Sequence, residues 1–159
     1  MNALLQHELL LRMGFFAAVL CMLLVLQWRH ALRGDGRLAR RQATNAALVG
    51  IDTLVLRFAF PLLAVGAAAA VHGNGVGLLP MLGIPGWPNV LVSLLVLDLV
   101  IYWQHRLLHR IPLLWRMHRV HHADTAFDVT TGVRFHPLEI AFSMGVKIGT
   151  VALLGAHPA

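Results

Sequence analysis

Residues 9–28 are twenty positions of nearly unbroken apolar character, and a helix of that length measures about 30 Å, the hydrocarbon thickness of a bilayer. Such a run leaves few choices of fold. In lipid every backbone N–H and C=O must find its partner within the segment, which a helix achieves and an open strand does not. The pattern recurs along the chain. Residues 46–71 are long enough to cross with some tilt, with Pro61 as the place for a kink. Residues 90–103 are too short to cross alone, so their helix is expected to run on to 111. Residues 138–154 form another apolar run, interrupted by Lys147, which reads as a fourth span or half of a hairpin. With 58% hydrophobic residues and a mean hydropathy of +0.70, the chain lies outside ordinary soluble composition. The expected fold is all-α integral membrane, with three to four transmembrane helices and a cytoplasmic histidine-rich helical region. The N-terminus has neither a basic leader nor a small-residue cleavage site, so the first run is read as a retained span.

The charges say which side faces which way. Arg29, Arg33, Arg37, Arg40 and Arg41 cluster around a turn at Gly34, Asp35 and Gly36, and Arg106, Arg110, Arg116 and Arg119 form a second cluster. Residues 72–89, by contrast, hold five glycines and three prolines and no lysine or arginine. By the positive-inside rule both basic clusters are cytoplasmic, and 72–89 is an exoplasmic loop or a re-entrant segment. A net charge of +6 confined to such loops points to anionic lipid surfaces and excludes nucleic acid as a partner. The single cysteine, Cys21, sits in an apolar run, so there is no disulfide framework and no CxxC site. Asp52 and Arg57 lie inside the second span. An unpaired arginine at that depth costs about 3 kcal/mol or more, so Arg57 is expected to pair with Asp98 or Asp52.

Residues 98–139 hold six of the ten histidines. His105 and His109 are four apart; His118, His121 and His122 form an HxxHH group. On one helix Asp98, Tyr102, His105 and His109 share a face. Pro112 should end that helix, and residues 113–123 can form a second one on which the other three imidazoles converge. Five neutral imidazoles on two short facing helices read as metal ligands, and the pattern alone does not choose among Fe, Zn, Cu and Ni. Interfacial histidines binding anionic head groups would not require these spacings.

The strings HRLLH and HRVHH, with DLVIYW before and RFHPLE after, resemble the fatty acid hydroxylase/sterol desaturase superfamily of integral-membrane, non-haem di-iron enzymes. The resemblance is dense over 98–139 and compatible in layout from Met1. It implies N-terminal membrane spans and loops over 1–89 and a partial fatty acid hydroxylase/sterol desaturase domain over 90–159. It further implies two irons held by His105, His109, His118, His121 and His122, and O2 used to hydroxylate or desaturate a C–H bond of a fatty acid or sterol-like lipid. An electron-donor protein, cytochrome b5-like or ferredoxin-like, is implied as partner. His136 matches a recurrent histidine of the family whose role stays open between ligand, support and helix start. Asp98, Asp124 and Glu139 are candidates to orient ligand imidazoles through the second ring nitrogen. In the family a further HxxHH group, after another membrane hairpin, completes the site. The 159 residues contain none, so the chain is expected to be a truncated member with an incomplete site, weak iron binding and no turnover. The competing readings are a non-catalytic membrane metal- or haem-binding module and an inactive remnant of the fold. An intramembrane zinc protease is a weaker rival, because HRLLH lacks the glutamate of HExxH.

Overall fold

A computed structural model describes residues 8–29, 38–60, 63–124 and 128–158. Among them the chain is helical throughout, with no strand: α1 (Glu8–Arg29), α2 (Leu38–Ala59), α3 (Leu63–Gly73), a short α4 (Leu78–Met81), α5 (Gly86–Arg110), α6 (Pro112–His122), a 3-10 turn (Val129–Val133) and α7 (Pro137–Leu154). Three stretches are long and apolar enough to cross a membrane: Ala39–Val71, which takes in α2 and α3, then Gly86–Arg110 and Pro137–Leu154. Within α1 the apolar stretch Gly14–Arg29 is shorter. The protein is an all-α integral membrane protein. The turn expected at Gly34 to Gly36 and the kink at Pro61 fall outside the described residues.

α7 is the central helix, packing against α2, α3 and α5. Lys147 does not interrupt it. The core is small, with Ala68, Val151 and Ala156 buried and Leu97 against them. Large apolar side chains face outward instead, among them Phe15, Phe58, Leu95 and Leu153. That is the arrangement suited to a lipid solvent, where apolar surface has no water to escape. What the fold buries is polar: Asn45, Asp52, Asn89, Ser93, Gln104, His118, Thr131 and Glu139.

Two ends of the bundle are fastened differently. At one end Gly155 closes α7 in the left-handed conformation (φ 64°), pressed so closely on Gly77 that a Cβ on either residue would collide with backbone. Asn89 joins this knot, donating to the Gly155 carbonyl at 3.2 Å and accepting the His157 N–H at 2.9 Å. Asn89 therefore belongs to α5, which starts at Gly86 and not at Val90. At the other end lie the C-terminus of α1, the N-terminus of α2, and the α5–α6 corner. Ile111 is extended there (φ −91°, ψ 118°), as the ring of a following proline requires, and Pro112 opens α6 at its first position.

The expected partnership of Arg57 is not formed. Arg57 is exposed in the last turn of α2, and neither Asp52 nor Asp98 makes an ion pair with it. Asp52 points inward toward α7 while Asp98 is exposed on α5. The three charges thus occupy different faces.

Candidate metal centre

The α5–α6 corner folds the two histidine groups onto each other. His105 and His109 are one turn apart on α5, and their Nε2 atoms lie 3.2 Å apart. His118 of α6 brings its Nε2 to 3.2 Å from that of His109 and 3.2 Å from that of His122. The ligand atoms of His105, His109 and His118 all lie within 4.8 Å of one another. Two nitrogens bound to one metal at about 2.0–2.1 Å stand about 2.9–3.4 Å apart at octahedral or tetrahedral angles, a separation that each 3.2 Å step matches and that an N–H···N hydrogen bond shares.

The protonation pattern fits as well. His118 is fully buried, and its Nδ1 lies 2.7 Å from Glu139 Oε1. With Nδ1–H donating to the carboxylate, Nε2 of the neutral ring is left with its lone pair toward the cluster. Burial, reinforced by His109 and His121, pushes the His118 imidazole down to about 4. Burial, with His118 and His121 next, lowers His122 also. Both rings are therefore neutral near pH 7, the form that binds metal.

His121 stands to the side. Its Nδ1 lies 3.2 Å from the Arg134 carbonyl and its ring stacks flat on Phe135, 4.8 Å between centroids. Donation from Nδ1 leaves Nε2 as a lone pair here too. His136 caps α7: its Nδ1 accepts the Leu138 N–H at 3.2 Å, the helix-start role among the three left open by the sequence. A neutral ring in that state carries its proton on Nε2 and offers a donor there.

Of the three carboxylates considered for orienting imidazoles, Glu139 holds His118. Asp98 holds none: it is exposed, and seven residues along α5 place it about 10 Å from the level of His105. Asp124 is taken up elsewhere. Arg41 of α2 lies 3.0 Å from Asp124 and 2.7 Å from Asp128, and Thr131 donates to Asp124 at 2.7 Å. Asp128 in turn caps the 3-10 turn, accepting the Thr130 N–H at 2.7 Å. The stretch after α6 is thus held in a 3-10 turn capped by Asp128; residues 125–127 fall outside the described residues.

Several side chains that sequence reasoning passed over complete this frame. Asn45 donates to Thr130 at 2.8 Å and accepts from Arg134. Arg134 also donates to the Val120 carbonyl at 2.9 Å, and Gln27 of α1 accepts the Val129 N–H at 2.7 Å. Trp115, on the same face of α6 as His118 and His122, covers His109 and His122 at centroid distances of 5.3 and 5.7 Å. The available signal was periodicity: positions 41, 45 and 52 of α2, and 115, 118 and 122 of α6, each repeat at helical spacing.

The fatty acid hydroxylase family model matches residues 90–159. The chain is 36% identical over 89 residues to a methylsterol monooxygenase of Arabidopsis thaliana, a match covering 53% of this chain and 33% of that protein. It is 36% identical over 87 residues to a very-long-chain aldehyde decarbonylase of Oryza sativa subsp. indica, covering 52% and 32% respectively. An ornithine lipid hydroxylase of Rhizobium tropici is 33% identical over 73 residues, covering 44% and 22%. The matched region thus spans about a third of these relatives' length or less. No solved structure matches. The matched region contains every histidine of the cluster, and it is over residues 90–159 that the chain is similar to the fatty acid hydroxylase family.

Proposed function

We propose that the protein is the histidine-bearing part of a membrane-bound, non-haem di-iron oxidoreductase that hydroxylates or desaturates a C–H bond of a lipid with O2. The observation that carries this reading is the convergence of Nε2 atoms from His105, His109, His118 and His122 at 3.2 Å steps, at a helix corner within the family match. The names of the relatives, which include a methylsterol monooxygenase, a very-long-chain aldehyde decarbonylase and an ornithine lipid hydroxylase, support a lipid substrate of the fatty acid or sterol class. Irons bound there would supply the redox chemistry by which dioxygen removes hydrogen from an unactivated carbon.

The chain's own residues do the rest. His105, His109, His118 and His122 hold metal through Nε2, with His121 offering a fifth lone pair beside them. Glu139 keeps the His118 proton on Nδ1, and the Arg134 carbonyl does the same for His121. Trp115 shields one side of the cluster from water. The corner sits at the end of a membrane-crossing helix, so a lipid approaches from the bilayer while an electron-donor protein, cytochrome b5-like or ferredoxin-like, docks from the aqueous side. On the distribution of arginines that side is the cytoplasm.

Metal analysis of the detergent-purified protein tests the reading. Iron without a Soret band is expected, together with at least about a 10-fold loss of iron affinity on His109→Ala or His118→Ala, since even residues that only support ligands matter 10 to 100-fold. Undiminished iron in folded variants contradicts it, and a Soret band would point to a haem carrier instead.

A further inference from the structure

α2 is turned inside out. Val49, Ile51, Leu54 and Phe58 are exposed, and the line that it buries is Arg41, Asn45 and Asp52, which the helical step of 100° puts within about 40° of one another. The first two have their partners in the loop after α6: Arg41 meets Asp124 and Asp128, and Asn45 meets Thr130 and Arg134. Asp52 continues the same line toward α7. It is 7% exposed, yet its Oδ1 is buried with no hydrogen-bond partner. An ionisable side chain inside a membrane helix, facing protein, marks a functional position with a specific partner.

The start of α7 supplies that partner. Asp52 lies within electrostatic reach of His136 and Glu139. Since His136 Nδ1 accepts the Leu138 N–H, the neutral ring presents Nε2–H as a donor. Glu139 holds His118 Nδ1 with Oε1, while its Oε2 is buried and unpartnered. Two buried acceptor oxygens without a hydrogen-bond partner, Asp52 Oδ1 and Glu139 Oε2, and one N–H donor thus belong to two helices, α2 and α7, that pack against each other. A water molecule satisfies all three, because it needs two to four polar partners and can donate twice while accepting once.

We propose that Asp52 is a positioning residue of the histidine site. One buried water donates to Asp52 Oδ1 and Glu139 Oε2 and accepts from His136 Nε2–H, so that α2 holds Glu139 and Glu139 holds His118. The line of support then runs from the membrane interior to a metal-binding nitrogen, and the proposal rests on the metal reading of the cluster given above.

Cobalt(II) titration of the full chain in detergent, read by ligand-field absorption, tests it. Asp52→Leu removes the acceptor and puts a helix-forming side chain in its place, and is expected to weaken cobalt binding about 10 to 100-fold with the far-ultraviolet circular dichroism unchanged. The double variant Asp52→Leu with His136→Phe should bind no more weakly than the weaker single variant. His118→Ala serves as the control. Cobalt binding lost in His118→Ala and unchanged in Asp52→Leu overturns the role of Asp52 and leaves the metal site standing. Binding unchanged in both overturns the metal reading itself. Should Asp52→Leu not fold, His136→Phe alone is expected to show the same loss, and wild-type affinity in that variant overturns the proposal.

Discussion

His118 is the residue on which the candidate site turns, because it alone touches both histidine groups and a carboxylate. Its imidazole is pushed from 6.5 down to about 4, first by burial and then by His109 and His121. A histidine held below its unfolded value favours the folded state while neutral. Its contribution is complete above about pH 6.5 and is lost as pH falls toward 4. Thermal melts of the metal-free protein are therefore expected to show stability declining between pH 6.5 and pH 4.5, with a shallower decline in His118→Gln. An equal slope in the two proteins would contradict the assignment. The grouping of His105, His109, His118 and His122 was legible from spacing, since HxxxH and HxxHH each define a face once a helix is granted; that His121 turns aside to the Arg134 carbonyl and Phe135 was not. The role of the carboxylates was not. Asp98 shares a face with His105 yet lies two turns away, whereas Glu139, 21 residues from His118 in sequence, is brought to it only by the packing of α7 beside α6.

Between elements, the clasp of Arg41 on Asp124 and Asp128 decides how the loop after α6 is held. The two carboxylates are 2% and 3% exposed, so removing the arginine takes away the cation that these two buried charges share. Breaking a buried pair in this way costs about 3–5 kcal/mol. Arg41→Ala is expected to lower the unfolding free energy in detergent by that order, and exchanging the charges through Arg41→Asp with Asp128→Arg should restore part of it. A neutral Arg41→Ala would show that the clasp contributes nothing. This element was half legible. The end of α5 could be read from Pro112, because a proline restricts the residue before it whatever the tertiary context. The start of α2 was expected at Ala46 and occurs at Leu38. Arg40 and Arg41 were read as part of the basic loop, and the partners that take up Arg41 and Asn45 lie 83 or more residues along the chain. Local sequence carries no trace of such partners. The same holds for Arg41 itself, counted as one of a cytoplasmic basic cluster and found largely enclosed.

For the molecule as a whole, Arg40 and Arg41 at the start of α2 and the basic residues of the α5–α6 corner lie at one end of the bundle, where Gln27 of α1 and Arg41 of α2 meet the loop following α6; the glycine and proline segment lies at the other, against the end of α7. The sequence foresaw this shared end because arginine placement obeys a rule of membrane insertion, not of packing. Cysteine introduced at Asn74 should react with an impermeant maleimide in intact cells and cysteine introduced at Gly36 should not; the reverse pattern would invert the topology. The central claim is that the α5–α6 corner holds metal through imidazole nitrogen, and X-ray absorption at the iron K-edge of the iron-loaded protein tests it most directly. The account predicts a first shell dominated by nitrogen near 2.0–2.1 Å, the distance typical of metal-bound histidine, with the outer-shell scattering of imidazole rings. A shell of oxygen alone, without imidazole scattering, would contradict it.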